Sequence, residues 1–157
     1  MSYIVALGLP TAFLCGGWCL LAGMIGLGAL GWAGFAGCTG YFACPDRGMK
    51  GVVTCICCLM SGVGYALISI YLENHVLTFP YAGIILAIIT TFLMCVQNKV
   101  KVLTYIPGTF IGSFSTFAAG GSLRIIPALL MGILLGFLCE KTGQWVFKKW
   151  GKQEADS

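Results

Sequence analysis

The stretch Phe35-Ala36-Gly37-Cys38-Thr39-Gly40-Tyr41-Phe42-Ala43 decides the fold, because a related stretch follows it seventy-five positions later. The second copy reads Phe110-Ile111-Gly112-Ser113-Phe114-Ser115-Thr116-Phe117-Ala118 and matches the first at four of nine positions. An internal duplication in an apolar chain is typical of small membrane channels and transporters, in which two similar halves meet about a pseudo-symmetry axis. We therefore expect one membrane domain over residues 1–157, with repeats at about 1–72 and 79–148 and a cytoplasmic tail at 149–157.

The composition supports a membrane protein. The chain has 157 residues, of which 59% are hydrophobic and 9% are charged, whereas soluble domains carry roughly 25% charged residues. No Asp, Glu, Lys or Arg precedes Asp46, none lies between Lys50 and Glu73, and Arg124 is the single one between Lys101 and Glu140. The lipid bilayer is thus the expected partner. The net charge of +4 comes from connectors and tail, so nucleic acid is not expected.

The uncharged runs and the breakers between them predict an all-α membrane protein with about six transmembrane helices. The expected spans are 3–22, 27–44, 51–72, 79–97, 102–119 and 123–140. The connectors leave no room for a soluble domain. Met1 to Ile4 lacks a basic region, so the first apolar run is expected to be a retained span, not a cleaved signal peptide.

The distribution of basic residues predicts the orientation. With six crossings, eight of them fall on the side of both termini and Arg124 falls opposite, which places both termini in the cytoplasm and inverts the second three-helix repeat relative to the first. The eight are Arg47, Lys50, Lys99, Lys101, Lys141, Lys148, Lys149 and Lys152. The alternative makes the second and fifth segments re-entrant, giving four crossings with basic residues divided five to four. Pro107 to Ala119 would form about 20 Å of helix, less than a core of about 30 Å.

Small residues in both copies form a stripe that predicts close helix packing. Gly37 and Gly40 correspond to Gly112 and Ser115, and in lipid such residues let helix backbones approach closely. We expect the second and fifth spans to cross there. Glycines at positions 28, 31, 34, 37 and 40 extend the first stripe, and close packing or an irregular backbone beside a cavity would offset their low helix propensity.

Two neighbouring stripes are candidates for lining a solute path. One carries Thr109, Ser113 and Thr116, matched in the first copy by Gly34, Cys38 and Tyr41. Its hydroxyls would meet a polar solute or, alternatively, bond back to their own helix or to a neighbour. The other stripe consists of phenylalanines that would form a hydrophobic gate, or else pack or face lipid. They are Phe35, Phe42, Phe110 and Phe117.

Other chemistry is not indicated. Almost all nine cysteines lie in apolar runs, where cysteine acts as a small hydrophobe. The CxxC spacing of Cys55 and Cys58 has no second pair, so neither a metal site nor a cofactor is predicted. No predicted span carries a central charge, which favours passive conduction over proton-coupled transport. No catalytic constellation is visible, so an enzyme is not expected.

Several blocks resemble a known family. Trp32 to Pro45, Gly48 to Gly51, Phe92 to Gln97 and Pro107 to Gly112 are similar to the bacterial YcdZ-like inner-membrane family, a domain of unknown function. The resemblance implies a polytopic protein of the bacterial cytoplasmic membrane, without a known substrate or functional residues. Together these features predict a homo-oligomeric channel or facilitator for a small polar solute. The alternative is a non-conducting scaffold or accessory subunit.

Overall fold

The structure, a computed structural model, describes residues 2–151 and contains six α-helices joined by short links. Their bounds are α1 Tyr3–Met24, α2 Gly31–Ala43, α3 Gly48–His75, α4 Ala82–Val96, α5 Ile106–Ala118 and α6 Ile125–Trp150. Single 3₁₀ turns, Gly28–Leu30 and Gln97–Lys99, precede α2 and extend α4. The described residues contain no strand, so the all-α prediction is confirmed for them.

The helices are of two lengths. α1, α3, α6 and the run from Ala82 to Lys99 are long and apolar enough to cross a membrane. α2 and α5 have 13 residues each, about 20 Å of helix and less than a hydrocarbon core of about 30 Å. They are shorter than the predicted segments 27–44 and 102–119 because irregular backbone precedes both. Gly26 has φ 73° ahead of α2, and Pro107 sits in the first turn of α5, where a missing N–H costs nothing.

The last helix is longer than the sequence predicted. The span expected at 123–140 continues to Trp150, so the first residues of the predicted tail are helical. Positions 152–157 of that tail lie outside the described residues. Glu140, expected at the end of a span, is therefore inside α6.

Neighbouring helices alternate in direction along the chain. α1 is antiparallel to α6, because Tyr3 packs on Phe147 and Leu7 lies against Gly143. α4 is antiparallel to α3, since Glu73 lies beside Gly83 at one end of the pair. In contrast, each short helix runs parallel to a long one: α2 follows α6 and α5 follows α3.

The contacts of the short helices establish these parallel pairs. Along α2, Gly34 meets Gly132 and Tyr41 meets Gly136 of α6. For α5, Gly108 meets Leu59 of α3, and Gly121, just after α5, meets Ile70 near the other end. α3 and α6 form the centre of the bundle: half of the most apolar stretch of each is buried, against 11% for α1.

Glycines make the two parallel pairs unusually close. A Cβ on Gly62 of α3 would lie 2.8 Å from Ser113 N and 2.9 Å from the carbonyl carbon of Thr109, and a Cβ on Gly112 would lie 2.8 Å from the carbonyl carbon of Leu59. In the α2–α6 pair, a Cβ on Gly132 would lie 2.8 Å from the carbonyl carbon of Gly34. Ordinary contacts are 3.4–4 Å, so only glycine allows these backbones to approach so closely.

Two of the small residues pack against other helices than the sequence predicts. The sequence predicts that the small stripes pack α2 on α5, whereas Gly37 packs on α6 and Gly112 packs on α3. The reason is that α3 and α6 present glycines of their own, Gly62 and Gly132, at the crossing points. Gly40 does lie near Ile111 of α5, together with Leu59. Ser115 is fully buried.

Candidate functional site

A cleft of about 260 Å³ lies between α3, α4 and α5. Its polar lining comes from hydroxyl groups and one carboxylate, and three phenylalanines of α5 and several aliphatic side chains form its walls. The polar residues are Ser69, Glu73, Thr90, Thr91 and Ser113. A mainly apolar concavity with a few polar groups is the usual form of a small-molecule site.

Helix periodicity brings these polar side chains to one place. Ser69 and Glu73 are four residues apart on α3 and therefore share a face. Ser69 Oγ and Thr90 Oγ1 are 2.9 Å apart and hydrogen bonded, which joins α3 to α4. Ser113, of which 5% is exposed, belongs to the opposite wall on α5.

A second polar cluster lies farther along the same three helices. Gln97 donates a hydrogen bond to the Thr109 hydroxyl, and Ser61 Oγ is 3.4 Å from the same oxygen. Gln97 Oε1 is buried and has no hydrogen-bond partner among residues 2–151. Buried polar atoms usually have partners, so this cluster has spare capacity to bind a polar molecule.

The residues of the predicted hydroxyl stripe lie in different surroundings in the structure. Ser113 lines the cleft, but Thr109 and Thr116 are fully buried in the close-packed α3–α5 pair. The Thr116 hydroxyl donates to Gly112 O at 2.8 Å, so for this residue the alternative interpretation, a bond to its own helix, is correct. Cys38 and Tyr41 of the first copy are buried beside α6 instead.

The four phenylalanines of the predicted gate do not come together at one place either. Phe110 and Phe117 line the cleft. Phe35 is 38% exposed, and Phe42 is half-buried with its ring edge-on to Tyr41. The α2 pair is not part of the cleft lining. Any gate at this cleft therefore uses the α5 pair.

Tyr41 belongs to a buried polar group that the sequence analysis missed. Its hydroxyl donates to Glu140 Oε2 and accepts the Gly48 N–H at 3.1 Å. Gln144 Nε2 donates to the other carboxylate oxygen at 3.2 Å. Glu140 is 7% exposed, and no Lys or Arg nitrogen of the described chain lies within 4 Å of it. The group links α2, α3 and α6 and satisfies its own hydrogen bonds, which favours a structural role.

Most of the cleft lies outside the duplicated motif that predicted the solute-lining residues. Four of its polar residues lie on α3 and α4 instead, namely Ser69, Glu73, Thr90 and Thr91. A signal was present in α3, where Ser69 and Glu73 are four residues apart and share a face. For Glu140, the underestimated length of α6 hid its position inside a helix.

Comparisons with known proteins agree with the membrane assignment. A family model described as "Protein of unknown function (DUF1097)" matches residues 8–144. The chain is 38% identical to "Inner membrane protein YcdZ" of Salmonella typhimurium over all of its length and 98% of the relative. It is also 38% identical to the protein of the same name from Escherichia coli, over 93% of this chain and 89% of the relative. No solved structure matches significantly. The chain therefore belongs to the DUF1097 family of inner-membrane proteins of unknown function.

Proposed function

We propose that the chain crosses the membrane six times as two inverted three-helix repeats with both termini in the cytoplasm. Alternating helix directions support this, as does the recurrence of contacts. Gly62 of α3 meets Thr109 of α5, and Gly132 of α6 meets Gly34 of α2. Gly132 lies 70 residues after Gly62, and Thr109 lies 75 residues after Gly34. Leu59 meets Gly112, and at the same offsets Leu129 meets Gly37. The short helices α2 and α5 would each cross together with the irregular backbone before them.

Topology reporters test this arrangement. A reporter inserted at Asn74, in the last turn of α3, should face the side opposite a reporter fused after Ser157. In the four-crossing alternative, α2 and α5 are re-entrant and both reporters face the same side. That result would overturn the six-crossing arrangement.

We propose that this protein is a passive channel or facilitator for a small polar solute, and that the solute path follows α3, α4 and α5. The observation that carries the proposal is the cleft, in which Ser69, Thr90 and Ser113 present hydroxyls beside Glu73. From Gly83 to Met94 its α4 wall extends about 17 Å at 1.5 Å per residue. This is over half of a hydrocarbon core of about 30 Å.

The second polar cluster would continue the path toward the cytoplasmic side. Gln97 follows α4 directly, and its free carbonyl oxygen can accept a hydrogen bond from a molecule that passes Met94. Hydroxyl and amide groups can replace the hydration shell of a neutral or weakly charged solute. Apart from Glu73, the polar groups of the proposed path carry no charge, which is consistent with passive movement instead of ion-coupled transport.

Flux measurements test this function directly. Purified protein in liposomes would be exposed to a panel of small neutral and weakly charged polar solutes, with volume changes followed by stopped-flow light scattering. We expect at least one solute to cross faster than in empty vesicles. If the wild-type chain, reconstituted and folded, gives no flux above empty vesicles for any member of the panel, the proposal is wrong.

The alternative is a non-conducting scaffold or accessory subunit. It is favoured by the density of the core, where α2 on α6 and α5 on α3 leave no space for a side chain at the glycine contacts. A scaffold would co-purify with a stable different subunit after gentle extraction and would give no flux. A homo-oligomer is part of the leading proposal, and native mass spectrometry would count its copies.

A further inference from the structure

Three cysteines from three different helices meet in the half of the molecule that the proposed solute path does not use. Cys15 of α1, Cys38 of α2 and Cys139 of α6 have sulfur atoms that all lie within 4.8 Å of one another. Cys38 and Cys139 are buried and Cys15 is half-buried. This thiol triad could not be predicted from local patterns, because its members are 23 and 101 residues apart along the chain.

The cleft contains a matching triad of hydroxyls. Thr90 lies 75 residues after Cys15, Ser113 lies 75 residues after Cys38, and Ser69 lies 70 residues before Cys139. The same offsets of 75 and 70 residues relate the glycine contacts of the α3–α5 pair to those of the α2–α6 pair. Ser69 and Thr90 touch across α3 and α4 as Cys139 and Cys15 do across α6 and α1. Small hydroxyl side chains therefore occupy the equivalent junction in the other half, where they line the cleft. The two junctions differ in the groups that they present, which are thiols in one half and hydroxyls in the other.

The other buried cysteines are arranged differently. Cys44, Cys55 and Cys58 also lie close to one another in the core, but each thiol is directed at a backbone carbonyl oxygen, those of Gly51, Gly40 and Val102 respectively. No hydrogen bond to a carbonyl is found for the triad thiols within the described chain. The three sulfurs lie near one another, and the Thr11 hydroxyl lies beside Cys139.

We propose that Cys15, Cys38 and Cys139 bind one soft monovalent cation, with copper(I) as the biological representative. Thiolate sulfur selects soft metals such as copper(I). Three sulfurs around a cation at about 2.3 Å would be about 4.0 Å apart, so the triad requires little movement to close on a metal. Zn²⁺ prefers four ligands in a structural site, and no fourth Cys, His, Asp or Glu joins the triad among residues 2–151.

The pH dependence of binding follows from the chemistry of the ligands. Trp18 and Leu135 pack against the triad, and cysteine binds a metal as the thiolate. Binding must displace protons from the sulfurs. Copper(I) affinity should therefore weaken as the pH falls. This site is independent of the proposed solute path.

Two triple variants with equal numbers of cysteines removed test the proposal. In the first, Cys15→Thr, Cys38→Ser and Cys139→Ser copy the residues of the hydroxyl triad, whose side chains are similar in size to cysteine. In the second, Cys44→Ser, Cys55→Ser and Cys58→Ser remove the other buried group. Both are compared with the wild-type chain in detergent by anaerobic titration with copper(I) buffered by the chromophoric competitor bicinchoninate.

We expect one copper(I) per chain for the wild type and for the second variant, with X-ray absorption reporting sulfur neighbours at about 2.3 Å. The first variant should lose this binding. Cys38→Ser alone should weaken it more than about 100-fold, because even changes outside the ligand shell cost about 10–100-fold. The single variant serves if the triple one does not fold. No stoichiometric binding by the wild type, or equal binding by the first variant, would overturn the proposal.

Discussion

Replacing Gly62 with alanine probes the contact on which the α3–α5 pair depends. The added Cβ would lie 2.8 Å from Ser113 N and 2.9 Å from the carbonyl carbon of Thr109, both backbone atoms of α5. Because backbone atoms cannot rotate aside, the two helices would have to separate. Overpacking of a core costs about 1–3 kcal/mol, and we take the upper end here because the clash is with backbone.

Two effects of the substitution oppose each other. Alanine is favoured over glycine in a helix by about 1 kcal/mol, so the expected net loss for Gly62→Ala is about 2 kcal/mol, roughly a 30-fold change in the folded-to-unfolded ratio. Gly64 is the matched control, since it lies on the same helix and a Cβ there would meet no atom within 4 Å. Gly64→Ala should be neutral or stabilising by up to about 1 kcal/mol.

The assay is reversible unfolding in mixed micelles, followed by circular dichroism as the denaturing detergent fraction rises. The free energies of unfolding of the two variants are compared with that of the wild type. Equal shifts for Gly62→Ala and Gly64→Ala, or a Gly62→Ala chain as stable as the wild type, would refute the close approach of α3 and α5.

Three further predictions concern single positions. Tyr41→Phe removes the donor to Glu140 and the acceptor of the Gly48 N–H, so it should lower the free energy of unfolding by about 1–3 kcal/mol. The control Tyr81→Phe, at an exposed site, should change the free energy of unfolding by less than about 0.5 kcal/mol. Equal effects of the two substitutions would contradict a structural role for the buried polar group. Asp46, in the link before α3, has its pKa lowered by hydrogen bonds from Lys50 and Thr54. A lowered carboxyl pKa stabilises the fold at pH values above the usual pKa of 3.8, and this stabilisation is lost as the pH falls through the folded pKa. Asp46→Asn should therefore make the free energy of unfolding fall less steeply in acid. An unchanged acid profile would contradict a stabilising role for the Asp46 hydrogen bonds. In a chain without its native cysteines, Thr91→Cys should react with a membrane-impermeant thiol reagent if the cleft holds water. Ile88→Cys, exposed on α4 outside the cleft lining, should not react. Similar reaction rates for the two cysteines would contradict a water-filled cleft.

The sequence predicted the class of fold because two of its signals are local. Apolar runs and the charges between them identify helices without knowledge of tertiary contacts, and α1, α3 and α4 begin within three residues of their predicted starts. The length of α6 was underestimated because Glu140 and Lys141 looked like a boundary. In the structure, Glu140 obtains hydrogen bonds from Tyr41 and Gln144, so the helix continues.

The partners of each residue were beyond local signals. Gly37 and Gly112 mark close packing, but which helix they approach depends on glycines far away in the chain, at positions 132 and 62. The cleft likewise combines Ser113 with residues 23 and 44 positions earlier. A repeat identifies equivalent positions, and only the three-dimensional arrangement shows that Cys15, Cys38 and Cys139 meet.

The most direct measurement of the central claim is a comparison of solute flux through two tryptophan variants in liposomes. Thr91→Trp places a large ring in the cleft, and Ile88→Trp places the same ring one turn away on α4, at a side chain that is 66% exposed and outside the cleft lining. With the solute that the wild type conducts fastest, we predict that Thr91→Trp reduces the flux at least tenfold and that Ile88→Trp leaves it near the wild-type rate. Wild-type flux in Thr91→Trp would contradict a solute path through this cleft.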